Sequence, residues 1–131
     1  MENIENLRHT KSIYKIKAFV EKTDVCVFTT GLSETSASRP MSTAKVDENG
    51  DLWFFSKADW SINKQIAYDD LVRLIYSHSA TSKSLTLYGR AQITTNKQKI
   101  NELWNPLAKL WFEGKDDPSI TLIKVSIEDC Y

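Results

Sequence analysis

Arg39-Pro40-Met41 combines residue types that can receive a flat ring. The tripeptide follows a polar loop and opens a segment with the character of a β-strand. A proline inside a strand indicates an edge, a start or a bulge, where the backbone is not fully paired with a neighbour. An incompletely paired backbone of this kind can accept a planar ligand.

A second group of residues, at the end of an aromatic strand and the start of a short helix, can receive a phosphate. The segment Trp53–Lys57 brings three aromatic rings, then the Ser56 hydroxyl and the Lys57 amine. Ser61 and Lys64 follow in the first turn of the predicted helix, whose free amides favour a phosphate. On spacing alone, an ordinary capped helix beside a hydrophobic hairpin explains the same residues, and both interpretations stay open.

Other catalytic and metal chemistries find no support in the sequence. His9 and His78 belong to no metal-ligand spacing motif, and the chain has no Gly-x-Ser-x-Gly elbow. The acidic stretch 47–51 suggests calcium, but an EF-hand loop would need glycine and an acidic residue where this chain has Leu52 and Ala58. We therefore expect no metal site and no catalytic acid, base or nucleophile.

The composition predicts one domain over residues 1–131. The 17 basic and 17 acidic residues cancel, so the basic surplus of a nucleic-acid binder is missing. No apolar run approaches the roughly 20 residues of a membrane span, and the N-terminus lacks a signal-peptide core. Cys26 and Cys130 are far apart, which favours free thiols over a disulfide framework. We expect a cytoplasmic protein that binds neither nucleic acid nor membrane.

Hydrophobic periodicity and turn signals place the candidate residues in a mostly β-sheet domain. The predicted strands are Val25–Thr30, Arg39–Val46, Asp51–Ser56, Leu71–Ser77, Ser84–Thr95 and Ile120–Ile127. The predicted helices are Ile4–Glu21, Ser61–Tyr68, one that begins at Asn96 and one that begins at Asn105-Pro106. Six strands in hairpin order, with helices at the ends and crossings, predict an antiparallel barrel or curled sheet.

The run SRPMSTAKVDENGDLWFFSKADWSINKQI, residues 38–66, resembles the flavin-binding stretch of the pyridoxamine 5'-phosphate oxidase-like split-barrel proteins. It is most similar to their general stress protein 26 group. The most specific motifs are Arg39-Pro40-Met41, Leu52–Ser56 after an Asn-Gly turn, and Leu87–Ala91. Segments 104–106 and 110–112 also resemble that group, and the similarity extends from about Phe19 to about Ile127.

The resemblance implies a mostly β fold, a six-stranded antiparallel split barrel with flanking α-helices. It also implies a homodimer with FMN at the subunit interface. Carried over by position, the residues that border the isoalloxazine ring are Arg39, Pro40 and Met41. The partner subunit's Trp111 would close over the ring, while packing of Trp104 and Trp111 within the core is the alternative.

The same carry-over assigns the rest of the cofactor. Phe55, Ser56 and Lys57 would follow the ribityl chain, and Ser61 and Lys64 would hold the phosphate.

Two departures from the family pattern matter. Family members commonly carry a base one turn earlier in the short helix, where this chain has Ile62. Lys64 is then the main phosphate cation, with Lys57 behind it. True pyridoxamine phosphate oxidases also bind their substrate with C-terminal arginines, and this chain has none after Arg90. Vitamin B6 oxidation is therefore not expected.

The resemblance favours an FMN-dependent oxidoreductase with a stress-related role, in which the flavin supplies the redox chemistry. NAD(P)H is a candidate electron donor, although the sequence carries no nicotinamide fingerprint. Two alternatives stay open: a flavin-binding or flavin-storing stress protein with no dedicated substrate, and a cofactor-free dimeric interaction module.

Overall fold

A computed structural model describes the backbone of residues 4–131 and the side chains of residues 12–106 and 108–131. Within that part, the strands are β1 (Val25–Thr30), β2 (Ala37–Ser42), β3 (Lys45–Val46), β4 (Leu52–Lys57), β5 (Leu71–His78), β6 (Lys83–Thr94) and β7 (Ile120–Cys130). The helices are α1 (Ile4–Thr23), α2 (Ser61–Tyr68) and α3 (Lys97–Leu103), with short 3-10 segments at Ser79–Thr81 and Pro106–Leu110. The side chain of His9 lies outside the described residues.

The strands form one antiparallel sheet in the order β2-β1-β5-β6-β7-β4-β3. The chain runs directly from β2, at one edge, to β3, at the other. The Thr43 N–H donates to the Asp24 carbonyl beside β1 (3.0 Å), and the Ala44 N–H donates to the Trp53 carbonyl of β4 (2.8 Å). The sheet therefore curls until its two edges meet at residues 43 and 44, which confirms the predicted antiparallel split barrel.

The strand count differs from the prediction. The predicted strand Arg39–Val46 is divided into β2 and β3, so the sheet has seven strands in the described chain instead of six. Successive residues of an extended chain direct their backbone groups to opposite sides. Thr43 bonds towards β1 and Ala44 towards β4. One continuous stretch of chain therefore forms backbone hydrogen bonds with two different neighbouring strands.

A β-bulge between Tyr88 and Gly89 shifts the register of β6 against β7. A side chain at Gly89 would collide with the Ser126 carbonyl oxygen, so this position requires glycine. Bulges increase local twist and bend the strand that carries them. The bulge thus contributes to the curl that brings β2 and β3 together.

The core fills the inside of the curled sheet. Phe28 of β1 and Phe54 of β4 meet edge to face with centroids 5.2 Å apart, and both are fully buried. α1 adds Ile16 and Val20 to this cluster. A second cluster lies between β4, β7 and α3, and it includes Trp53, Ile100, Leu103, Ile120 and Leu122.

Helix boundaries agree with the sequence at most ends. The Asn96 side chain caps α3 by accepting from the Lys99 N–H at 3.1 Å, as predicted. Asn105 caps the next element in the same way, accepting from the Ala108 N–H at 3.1 Å. That element is a 3-10 segment instead of the predicted α-helix.

The two cysteines are unbridged: Cys26 is buried and Cys130 is exposed. Burial, opposed by a hydrogen bond with Tyr76, raises the pKa of the Cys26 thiol to about 12, so the thiol stays protonated at neutral pH. In the described part of the chain, no helix combines the length and the apolar character of a membrane span.

A closed network of polar side chains joins α2 to the barrel. Ser56 Oγ donates to Asn63 Oδ1 (2.9 Å), and Asn63 Nδ2 donates to Thr121 Oγ1 (2.9 Å). Thr121 Oγ1 lies 2.6 Å from Ser56 Oγ and donates to the Ser56 carbonyl (2.9 Å). All three side chains are buried, so each depends on the others for its hydrogen bonds.

We expect Asn63→Ala to lower the free energy of unfolding by about 1–3 kcal/mol, because it removes the two buried hydrogen bonds that Asn63 makes with Ser56 and Thr121. Asn101→Ala, at an exposed position of α3, should change it by less than about 0.5 kcal/mol. Urea unfolding of both variants measures the difference. Equal stability of the two variants would show that the network contributes nothing.

Candidate functional site

A cleft of about 590 Å³ opens where the barrel is split. Its walls come from β2 and the residues that follow it (39–44), from Phe55 of β4, from the start of α2 and from residues 105–112. This volume falls within the range of small-molecule and cofactor pockets, about 300–1,000 Å³.

β2 presents unpaired backbone groups to this region. The Thr43 N–H bonds to the Asp24 carbonyl, so Thr43 directs its backbone groups towards β1. Because this direction repeats every second residue, Met41 and Arg39 also direct their backbone groups towards β1. Met41 stands opposite Cys26 and Arg39 opposite Phe28. The intervening Pro40 and Ser42 direct their backbone groups away from β1. Among the strands of the described chain, none pairs with that side of β2, which ends the sheet. Pro40 therefore sits where its missing N–H costs no ladder bond, as the sequence predicted for an edge strand.

Aromatic side chains form the opposite wall. Trp60 and Trp111 meet edge to face with centroids 6.0 Å apart, and both line the cleft. Phe55 packs between Trp104 and Phe112, with centroids 6.1 Å from each. Trp111 remains 58% exposed at the rim. This wall offers aromatic surface to a flat ligand.

Arg39 is held between β1 and α2. Its Nη2 donates to Gln65 Oε1 at 2.6 Å, and its Nη1 donates to Thr30 Oγ1 at 3.0 Å. A short hydrogen bond from Thr30 to Gln65 closes the cluster. Burial lowers the pKa of Arg39 from its usual value, but an arginine keeps its charge at neutral pH. Arg39 thus fixes a positive charge beside α2.

The charges of the cleft are separated along β2. Arg39 is the only basic residue and Asp24 the only acidic residue among the described residues that line it. Asp24 stands opposite Thr43, and Thr43 lies four positions after Arg39 along the extended chain, a distance of about 13 Å. The cleft therefore has a positive and a negative end.

The N-terminus of α2 also faces the cleft. Trp60 occupies the N-cap position and gives no side-chain cap hydrogen bond. The Asn63 N–H bonds to the Trp60 carbonyl at 3.1 Å, while Ser61 and Ile62 line the cleft. First-turn amides that lack a side-chain cap are suited to an anion.

The cleft brings together six of the residues that the sequence indicated: Arg39, Pro40, Met41, Phe55, Ser61 and Trp111. This Trp111 borders the cleft of its own chain, and the expected contribution of the partner subunit's Trp111 stays a prediction. The sequence reasoning missed Trp60, Thr43 and Asp24. Trp60 had one signal, its position directly before Ser61.

Three indicated residues lie elsewhere. Ser56 is fully buried and its hydroxyl bonds to Asn63 and Thr121. The Lys57 ammonium lies 5.9 Å from the centre of the Phe112 ring. Lys64 is exposed and borders a second cavity of about 280 Å³, together with Gln65, Tyr68 and Asp69.

Comparisons with known proteins agree with this architecture. Residues 11–131 match the family described as pyridoxamine 5'-phosphate oxidase like. The protein bli-3 of Neurospora crassa is 24% identical over 129 residues, which cover 89% of this chain. The chain spans 62% of the length of that relative.

Two solved structures share the fold. General stress protein 26 of Bacillus anthracis superposes with a TM-score of 0.80 at 20% identity, covering 92% of each chain. The general stress FMN/FAD binding protein of Xanthomonas citri gives 0.77 at 20% identity, covering 95% of this chain and 87% of the other. The match over residues 11–131 and the shared split barrel show that this chain belongs to the pyridoxamine 5'-phosphate oxidase-like family.

Proposed function

We propose that the protein binds FMN in the cleft and acts as a flavin-dependent oxidoreductase with a stress-related role. The observation that carries the proposal is the cleft itself. It combines an unpaired strand edge, an aromatic wall and one positively charged end beside an uncapped helix N-terminus. The family match and the flavin-binding protein of the same fold from Xanthomonas citri support it.

The residues present fit a phosphorylated flavin. The free backbone of Pro40 and Ser42 suits the polar edge of a ring, and Trp60 and Trp111 suit its faces. The phosphate belongs at the positive end, near Arg39 and the first turn of α2 at Ser61. In this arrangement Arg39 takes the role that the sequence gave to Lys64.

A bound flavin would supply hydride and electron transfer, which no side chain of this cleft provides. The protein's own contribution is binding and orientation. The aromatic wall excludes water from the ring, and the Gln65 amide and Thr30 hydroxyl hold the Arg39 guanidinium in place for the phosphate.

We expect Arg39→Gln to weaken FMN binding by about ten- to a hundredfold, the effect of losing a charge-assisted hydrogen bond. Riboflavin, which lacks the phosphate, should bind nearly as before. Lys64→Gln is the matched control and should leave both affinities unchanged, because Lys64 borders the second cavity. Flavin-fluorescence titrations of the parent and both variants provide the measurement.

If Lys64→Gln alone lost FMN affinity, Lys64 would be the residue that binds the phosphate, as the sequence indicated, and Arg39 would not be. A parent protein that binds neither FMN nor riboflavin would contradict flavin binding and favour the cofactor-free dimeric module.

The oxidoreductase part of the proposal predicts that NADH or NADPH bleaches the visible absorbance of the bound flavin under anaerobic conditions, because the absorbance of oxidised flavin is lost on reduction. Photoreduction of the same sample is the control, since it shows that the flavin can be reduced. A flavin that is reduced by light but by neither NADH nor NADPH would contradict NAD(P)H as the electron donor. It would favour a flavin-binding or flavin-storing protein.

We further propose a homodimer with the cofactor at the interface. Val27 lies between Pro40 and Ile75 on the outer face of the sheet. Val25 and Val27 are 48% and 45% exposed. On the same face, Arg73 Nε is buried and has no hydrogen-bond partner in the described chain. A second copy would cover the apolar residues and supply an acceptor, and Pro40 makes this face continuous with the cleft.

The parent should sediment at twice its 15.0 kDa chain mass at micromolar concentration. Val27→Asp should give a monomer, because it places a charge in the proposed interface. Tyr14→Asp introduces the same charge at a large, 70% exposed residue on α1 and should remain dimeric. A monomeric parent would contradict the dimer.

The expected cytoplasmic location belongs to the same proposal. It is supported by the two unbridged cysteines, since disulfides are rare in reducing compartments.

A further inference from the structure

We infer that Thr43 donates a hydrogen bond to the ring of the ligand in the cleft, and that the buried Tyr76 positions Thr43 for this contact. The inference rests on the proposed flavin binding and adds to it the residue that recognises the polar edge of the ring.

Thr43 stands at the closed end of the cleft, where the edges of the curled sheet meet. Its backbone N–H is used by the Asp24 carbonyl, which fixes the residue in the strand. Thr43 is half-buried and lines the cleft. Thr43 Oγ1 lies 2.5 Å from the Tyr76 hydroxyl oxygen.

Tyr76 comes from β5 and reaches Thr43 through the core. The residue is fully buried, so its hydroxyl has no access to water and depends on its protein partners. Its hydrogen-bond partner among the described residues is Thr43, and the Cys26 thiol of the neighbouring strand β1 lies close to it. The two contacts hold the phenol in one position.

Either hydroxyl can donate in the contact between Thr43 and Tyr76. A phenol is a stronger donor and a weaker acceptor than an alkyl hydroxyl, so we assign the donor role to Tyr76 and the acceptor role to Thr43. The Thr43 hydroxyl hydrogen is then free. Among the described residues Thr43 Oγ1 has no other hydrogen-bond partner, and the cleft lies beside it.

The group that matches this donor is an acceptor on a planar ring, a carbonyl oxygen or an unprotonated ring nitrogen. The oxidised isoalloxazine carries such acceptors on its pyrimidine side. Arg39 lies about 13 Å away along β2, so the two residues would engage opposite ends of one ligand. A donor at the ring favours the electron-rich reduced form, because negative charge grows on these acceptors during reduction.

Thr43→Val tests the inference, since valine keeps the branched shape and loses the hydroxyl. We expect FMN and riboflavin to bind about three- to tenfold more weakly, the effect of one neutral hydrogen bond, with their affinity ratio unchanged. The midpoint potential of bound FMN should become more negative. Thr43→Ser keeps the hydroxyl and should restore both the affinity and the potential.

Tyr76→Phe separates positioning from contact. It leaves the Thr43 hydroxyl in place but removes its fixed partner, so the potential should move in the same direction as in Thr43→Val and by a smaller amount. The thermal unfolding midpoint of each variant monitors the fold. If Tyr76→Phe does not fold, the comparison of Thr43→Val with Thr43→Ser tests the inference by itself.

Failure of the inference is distinct from failure of the proposed function. A parent that binds flavin, with a Thr43→Val variant of equal affinity and potential, would overturn the role of Thr43 and leave flavin binding intact. A parent that binds neither FMN nor riboflavin would overturn both.

Discussion

The backbone alternation of β2 is the constraint on which the rest of the structure depends. Odd-numbered residues from Arg39 to Thr43 pair with β1, and the chain then bonds to β4 from Ala44 onwards. The sheet can therefore close at one point and stay open along the rest of β2. The cleft, its unpaired edge and its position beside α2 all follow from this single change of neighbour.

α2 is the second requirement, because it brings an uncapped N-terminus to the opening. Its inner side is fixed by the buried network around Asn63, and its outer side by the bond from Arg39 to Gln65. These contacts connect the helix to β4, β7 and β2. The helix is short, so its position depends on tertiary contacts more than on its own propensity.

Much of this architecture was open to prediction from the sequence. The Asn-Gly turn, the edge proline at residue 40 and the cap at Asn96 each carry a local signal, and each element is present. The orientation of single side chains was harder. Phe55 faces the cleft and Ser56 the interior, as strand alternation requires, so the two could not serve the same ligand.

Lys64 shows the same limit on a helix. It stands three residues after Ser61 but turns towards Tyr68, one turn further on, and away from the cleft. The pairing of Thr43 with Tyr76 joins residues 33 positions apart and leaves no sequence signal. Contacts of this kind depend on the curl of the whole sheet, which no short motif encodes.

The open edge of β2 also affects the tendency of the protein to aggregate in a concentrated solution. An unpaired strand edge is a template onto which the strands of other molecules can add, and this leads to aggregation. Pro40 interrupts the row of donors on that edge, and the exposed Trp111 stands across the cleft from it. The residue that opens the backbone to a ligand therefore also makes the edge a poor partner for a foreign strand.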